Sequence, residues 1–248
     1  MSDNTTNTLA ADISWDEVVQ VSSGEFKKGR KLDRIKFKAG PAMRVLLLDA
    51  NPVAVVQHYK KEFGYLRCLV STGQRCPACD AGDRPSQKFG INALVYPMGA
   101  EKPSDVNSAN VEVKAWLFNA KVFNDLKNIK SQWGPLTEYD LKINCTKEQF
   151  QEVTVLNCKG SLVDNSPDEA NVRAKATTDR FDLKWNLGRA FTVAQVEGIW
   201  TGKMSKDEIF KKRDAEDESP YAAVASTGTA TATPVKLNFD SLLGARKK

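Results

Sequence analysis

The chain has 248 residues, 41% hydrophobic and 27% charged, with a net charge of +5. That composition can bury a core as one large or two small domains and excludes a chain disordered throughout. Its longest apolar run, VLLLDANPVAVV from Val45 to Val56, is broken by Asp49, Asn51 and Pro52 and falls far short of the roughly 20 residues a membrane helix needs.

Residues 1–22 read as a flexible polar arm, with a short helix expected around SWDEVVQV. The opening MSDNTTNTLAADISWDE is polar and acidic, where a secretory signal would carry a basic region and then an apolar block. A cytoplasmic location with no membrane partner is therefore expected. In such a reducing compartment clustered cysteines more often hold a metal or do redox work than form structural disulfides.

The first strand is expected in LDRIKFKAG, where Ile35 and Phe37 alternate with Arg34, Lys36 and Lys38, so that one face is buried and the other is wet and cationic. MRVLLLD and VAVVQHYKK follow as strands separated by a DANP turn, and EFG turns the chain into GYLRCLV. INALVYPMG and VEVKAWLFN are two more, joined by the Pro-, Ser- and Asn-containing loop AEKPSDVNSAN. Val122, Phe123, Leu126, Ile129 and Trp133 recur at helical spacing before a terminating Gly-Pro. YDLKINCT and EVTVLNCKG complete the strands, with Cys145 and Cys158 as small buried hydrophobes.

Many short strands, one helix and frequent turns predict a mainly β fold with minor α over residues 23–200, a small barrel or sandwich. Residues 201–248 read as a helix, a linker and an interaction tail. The helix is signalled by the capping-box spacing of Ser205 and Glu208, the linker by SPYAAVASTGTATATP, and the tail by VKLNFDSLLGARKK.

The only histidine, His58, and three of the five cysteines, Cys68, Cys76 and Cys79, fall within one short segment. Their spacing is His-x9-Cys-x7-Cys-x2-Cys. Two thiolates of a Cys-x2-Cys turn can share one ion, and His58 and Cys68 complete the four N or S ligands of a closed, structural Zn2+ site. A redox dithiol would sit at a helix N-terminus in a βαβ unit, whereas CPACDAGDRPSQ runs into turn residues. A zinc deaminase needs H-x-E and a proline ahead of the cysteine pair; here His58 is followed by Tyr-Lys and the proline lies inside the pair.

Positive charge is concentrated around this segment. Fourteen Lys/Arg stand against six Asp/Glu between Gly24 and Ala100, which leaves the remainder slightly acidic. Tyr59, Lys60, Lys61, Phe63, Tyr65 and Arg67 lie between the first two ligands, with Arg75, Arg84, Lys88 and Phe89 around the others. Lys36, Phe37 and Lys38 precede them. Rings interleaved with cations suit single-stranded nucleic acid, whose bases stack and whose phosphates need neutralising.

The order His, Cys, Cys-Pro-x-Cys, then GDRPSQKFGINALVYP after a basic β-rich opening, resembles the zinc-containing single-stranded-DNA-binding (helix-destabilising) proteins of tailed bacteriophages. The resemblance spans about residues 25–160. It implies an OB-fold-like barrel in residues 23–200 with a zinc-stapled subdomain at 54–90, zinc on His58, Cys68, Cys76 and Cys79, and a groove near KFK, HYKKEFGYLR and SQKF. It also implies cooperative self-association through a basic segment, matched by Lys27–Lys31. The family's acidic tail, which recruits replication partners, is not matched by a chain ending ARKK.

The expectation is a non-enzymatic single-stranded-DNA-binding protein of replication, recombination and repair, with contacts to replication or recombination proteins through its tail. The rivals are a zinc-containing transcription or processivity adaptor and an RNA chaperone. No phosphate-cradling G-x-x-x-x-G-K-[ST] occurs.

Overall fold

The computed structural model describes residues 11–12, 32–37, 39–147, 150–155, 160–188, 191–205 and 208. Most of the expected arm, the basic run at Lys27–Lys31, Lys38, Cys158 and the tail beyond Glu208 lie outside these residues.

Alternating side chains organise a largely antiparallel sheet with a core on each face. Strands β1 (Ala11–Asp12), β2 (Met43–Leu47), β3 (Val53–Lys60), β4 (Gly64–Arg67), β5 (Ser86–Val95), β6 (Glu112–Phe118), β7 (Asp140–Lys147) and β8 (Phe150–Val155) all belong to it. On β2, Val45 and Leu47 enter one core and Leu46 the other, as a two-residue repeat requires. β6 divides likewise, with Trp116 and Phe118 on the first face and Val113 and Ala115 on the second.

β5 is the spine. β6 pairs along one edge, while β2 and β3 lie end to end along the other, with Leu47 opposite Ala93 and Val53 opposite Gly90. DANP is therefore not a hairpin turn; it is a bulge that interrupts one line of strand. Asp49 mends the interrupted ladder by accepting from the Asn92 backbone N–H at 2.7 Å and its side-chain amide at 2.9 Å. Asn92 is buried because Phe181 occupies its remaining valences, accepting through its carbonyl and donating through its N–H.

Beyond β2 come β7 and then β8, and beyond β3 come β4 and β1. No ladder joins β8 to β6 among the described residues, so the expected closed barrel gives way to an open sheet. The two rims still approach, because Trp116 Nε1 on β6 donates to Gln151 Oε1 on β8 at 2.8 Å. The sheet curls over its first core without closing. The expected first strand is reduced to a single parallel bridge from Arg34 to Ala115, although Ile35 and Phe37 are buried and Arg34 and Lys36 exposed as its alternation demands.

Helix α1 (Pro77–Asp80) belongs to the cysteine segment. α2 (Ala120–Trp133), N-capped by Asn119 through Val122 N–H, closes the first core with Val122 and Leu126, while Trp133 stays half exposed. α3 (Glu169–Thr178) and α4 (Leu183–Gly188) cover the second face with Val172, Ala176, Leu183 and Leu187. Leu187 sits so close to β5 that a Cβ on Gly90 would meet its Cδ1 at 2.5 Å. α5 (Val193–Thr201) leaves the sheet and joins the cysteine segment in a third core. The expected capping pair holds, with Ser205 N–H and Oγ both 2.9 Å from Glu208 Oε2.

Candidate metal centre and the aromatic face above it

The β3–β4 hairpin turns through Gly64, whose φ of 85° a side chain would resist. Cys68 N–H donates to Val56 O at 2.8 Å, holding the end of β4 beside β3. A 3-10 turn at Leu69–Thr72 then sends the chain back to Cys76, the residue ahead of α1, and one turn of helix brings Cys79 round beside it. Three separate backbone devices thus deliver four donors to one place.

His58 Nε2 lies 3.4 Å from both Cys76 Sγ and Cys79 Sγ, and the Cys68 and Cys79 sulfurs are 3.6 Å apart. All four donor atoms lie within 4.8 Å of one another. A tetrahedron with metal–sulfur bonds of about 2.3 Å has edges of roughly 3.8 Å, slightly shorter to nitrogen, so the cluster has the size of a zinc site. His58, Cys68 and Cys76 are buried and Cys79 partly so.

Asp83 supplies what the sequence reading lacked. Its Oδ2 is 2.6 Å from His58 Nδ1, which fixes the ring and leaves Nε2 to the metal. Burial pushes the pKa of Cys68 up, against a hydrogen bond with Cys79, and burial together with the neighbouring thiols pushes Cys79 up. For Cys76 burial is outweighed by backbone hydrogen bonds from Cys79, Leu69 and Ala78, and the pKa falls. Burial therefore favours neutral thiols at Cys68 and Cys79 in the absence of a cation, and a bound cation would favour their thiolates. The redox reading fits poorly, because all four donors converge where a dithiol needs only two.

Strand alternation puts the metal donors and the exposed rings on opposite faces of one hairpin. His58 and Lys60 point down, and Leu66 opposite His58 joins the third core. Tyr59 and its cross-strand partner Tyr65 point up, 57% and 49% exposed, with ring centres 5.1 Å apart. In register behind them on the same face come Gln57 with Arg67 and Ser86, then Val55 with Lys88. Arg67 is buried, which draws its pKa down to about 10 against the pull of Cys68. Lys61 is exposed in the turn, Arg84 is exposed after Asp83, Lys36 is exposed beside β6, and Arg75 is exposed in an ion pair with Asp80 at 2.7 Å.

Five expected ligand contacts are corrected, the buried Arg67 among them. Phe37 and Phe89 are in the first core, where Phe89 stacks against Phe118 and Phe123 at 5.8 and 4.3 Å. Phe63 packs against the third core. The Lys60 ammonium donates to the carbonyls of Ile199 and Trp200, both at 2.9 Å. These side chains build the platform instead of meeting a ligand on it. Trp200, edge-on to the His58 ring at 5.7 Å, was invisible in the sequence because it lies 142 residues further on.

No protein-family model matches this chain, nor does any curated protein sequence. The reading of the site rests on its own geometry.

Proposed function

We propose that this chain is a non-enzymatic, sequence-tolerant single-stranded-DNA-binding protein, built on one structural zinc and serving replication, recombination or repair. The observation that carries the reading is the Tyr59–Tyr65 pair, large rings held in the open on a hairpin stapled from beneath. Every unpaired base has a π-face for such rings, and stacking contributes roughly 1–3 kcal/mol per base. Exposed Lys61 and Arg84, with half-buried Lys88 opposite Val55, are the cations this reading assigns to the phosphate backbone. On this reading the ligand crosses an open sheet face, not the mouth of a barrel. Self-association through Lys27–Lys31 and contacts of the C-terminal tail with replication proteins belong to the same proposal.

The test compares the affinity of the purified protein for oligo-dT, RNA of equal length and duplex DNA at two salt concentrations. Preference for oligo-dT that falls steeply with salt is expected, and Tyr59→Ala with Tyr65→Ala should weaken it by about 2–6 kcal/mol at most. Duplex binding as tight as single-strand binding overturns the proposal, and tighter RNA binding reassigns the face to RNA.

A further inference from the structure

The third core joins two stretches of chain that are far apart in sequence. From the cysteine segment it takes Leu66, Cys68, Leu69, Cys76 and Ala78, and from the other side Phe191, Val196 and Ile199, with Trp200 and Met204 packed around them. Two of its buried members are themselves proposed ligands. The α5 side is shaped to this neighbour: Gly198 leaves room for Met204, whose side chain would lie 2.6 Å from a Cβ there, and Thr192 caps the helix start through Gln195 N–H at 3.2 Å.

The polar contacts converge on the helix end. Lys60 follows His58 by two residues on the same face of β3, and its ammonium donates to carbonyls in the last turn of α5, where the helix dipole is negative. The same ammonium lies 5.1 Å above the Trp200 ring, whose edge meets His58. One strand therefore presents a proposed ligand and a helix-capping cation side by side, both touching Trp200.

We infer that α5 is the outer wall of the metal centre, with Trp200 and Lys60 as positioning residues for His58, and that metal occupancy in turn holds α5 docked. The inference rests on the zinc reading above but not on DNA binding. The cysteine segment between β4 and β5 contains only a 3-10 turn and the four-residue α1, so without an ion little fixes the surface on which α5 lies. With the ion in place that surface is rigid. Coupling of this kind is reciprocal: whatever factor the metal adds to the docking of α5, docked α5 adds to metal affinity. A consequence is that the chain following Gly202 is anchored at its root when the centre is filled and released when it is emptied.

The test is hydrogen exchange on the full-length protein, before and after zinc is withdrawn by a chelator, with metal content measured alongside. Exchange across Val193–Thr201 should accelerate at least tenfold on zinc removal, while β5 and β6 keep their protection. In the reciprocal arm, Lys60→Met and Trp200→Ala should each raise the zinc dissociation constant about tenfold, and the conservative Lys60→Arg and Trp200→Phe should recover most of it. The reciprocal arm remains decisive even if the zinc-free protein unfolds as a whole. Unchanged exchange in α5 after zinc has left, or unchanged zinc affinity in Lys60→Met and Trp200→Ala, overturns the coupling. A protein that takes up no zinc yet keeps α5 protected overturns both the coupling and the zinc reading, whereas failure to bind oligo-dT touches neither.

Discussion

The two-faced sheet and the hairpin that carries the candidate metal centre are continuous through β3 and β5, yet their cores differ in kind. The sheet lies between two apolar cores that include Trp116, Tyr139 and many Leu, Ile and Val side chains, and its buried Asp140 and Asn92 are matched by hydrogen bonds. Asp140, for example, receives Arg44, Tyr96 O–H and Leu162 N–H at 2.7–2.9 Å. The hairpin region shares a smaller core in which cysteine sulfurs stand among the hydrocarbon. Where apolar area is plentiful, burial alone can offset chain entropy; where the chain must project rings into water, the proposed cross-link through an ion would do that work. The cross-strand pair of Tyr59 and Tyr65 adds only about 0.2–1 kcal/mol to the hairpin that displays it.

That contrast breaks most visibly at the ligands. Cys76→Ser should reduce bound zinc from one per chain to almost none, as metal analysis of the purified variant would show, since structural zinc sites contribute on the order of 10 kcal/mol in small zinc-binding peptides. The hairpin should loosen, with loss of oligo-dT affinity, while circular dichroism keeps the signature of the sheet. An unaltered zinc content would remove Cys76 from the site. Next in size is Trp116→Ala in the first core, expected to cost about 3–5 kcal/mol of unfolding free energy, partly because Gln151 loses its donor. Denaturant titration measures the loss, and zinc content of the folded fraction should stay at one per chain. If Trp116→Ala also empties the metal centre, the two regions are one cooperative unit and the comparison fails.

Local patterns were legible where each residue's neighbours lie close in sequence. The periodicities of Val45–Leu47, of Glu112–Phe118 and of Val122–Leu126 gave strands and helix correctly, and the ligand spacing gathered His58, Cys68, Cys76 and Cys79 as anticipated. What escaped depends on distant partners. The end-to-end run of β2 and β3 is decided by β5, not by DANP itself, whose Pro and Asn suit a bulge as well as a turn. α3 carries only Val172 and Ala176 as buried residues, too few to announce an apolar stripe. Phe89 and Tyr59 are both aromatic residues flanked by lysine; only the stacking of Phe118 and Phe123 from other elements distinguishes the buried ring from the exposed one.

The smallest effect sharpens the comparison most, because it separates orientation from charge within the metal centre. Among the described residues, Asp83 is a carboxylate contact to the proposed ligands that is partly open to solvent, its side chain 37% exposed. An ordinary ion pair so placed contributes about 0–1 kcal/mol, whereas a carboxylate orienting a ligating imidazole typically contributes 10- to 100-fold in metal affinity, or about 1.4–2.8 kcal/mol. Asp83→Asn keeps an oxygen that can accept from His58 Nδ1–H and should weaken zinc binding toward the lower end of that range; Asp83→Leu removes acceptor and charge and should reach the upper end. Competition with a chromophoric chelator measures both. Affinities equal to that of the unmodified protein would make Asp83 a surface partner of His58 and nothing more, and would leave the third core as the only support the metal centre has.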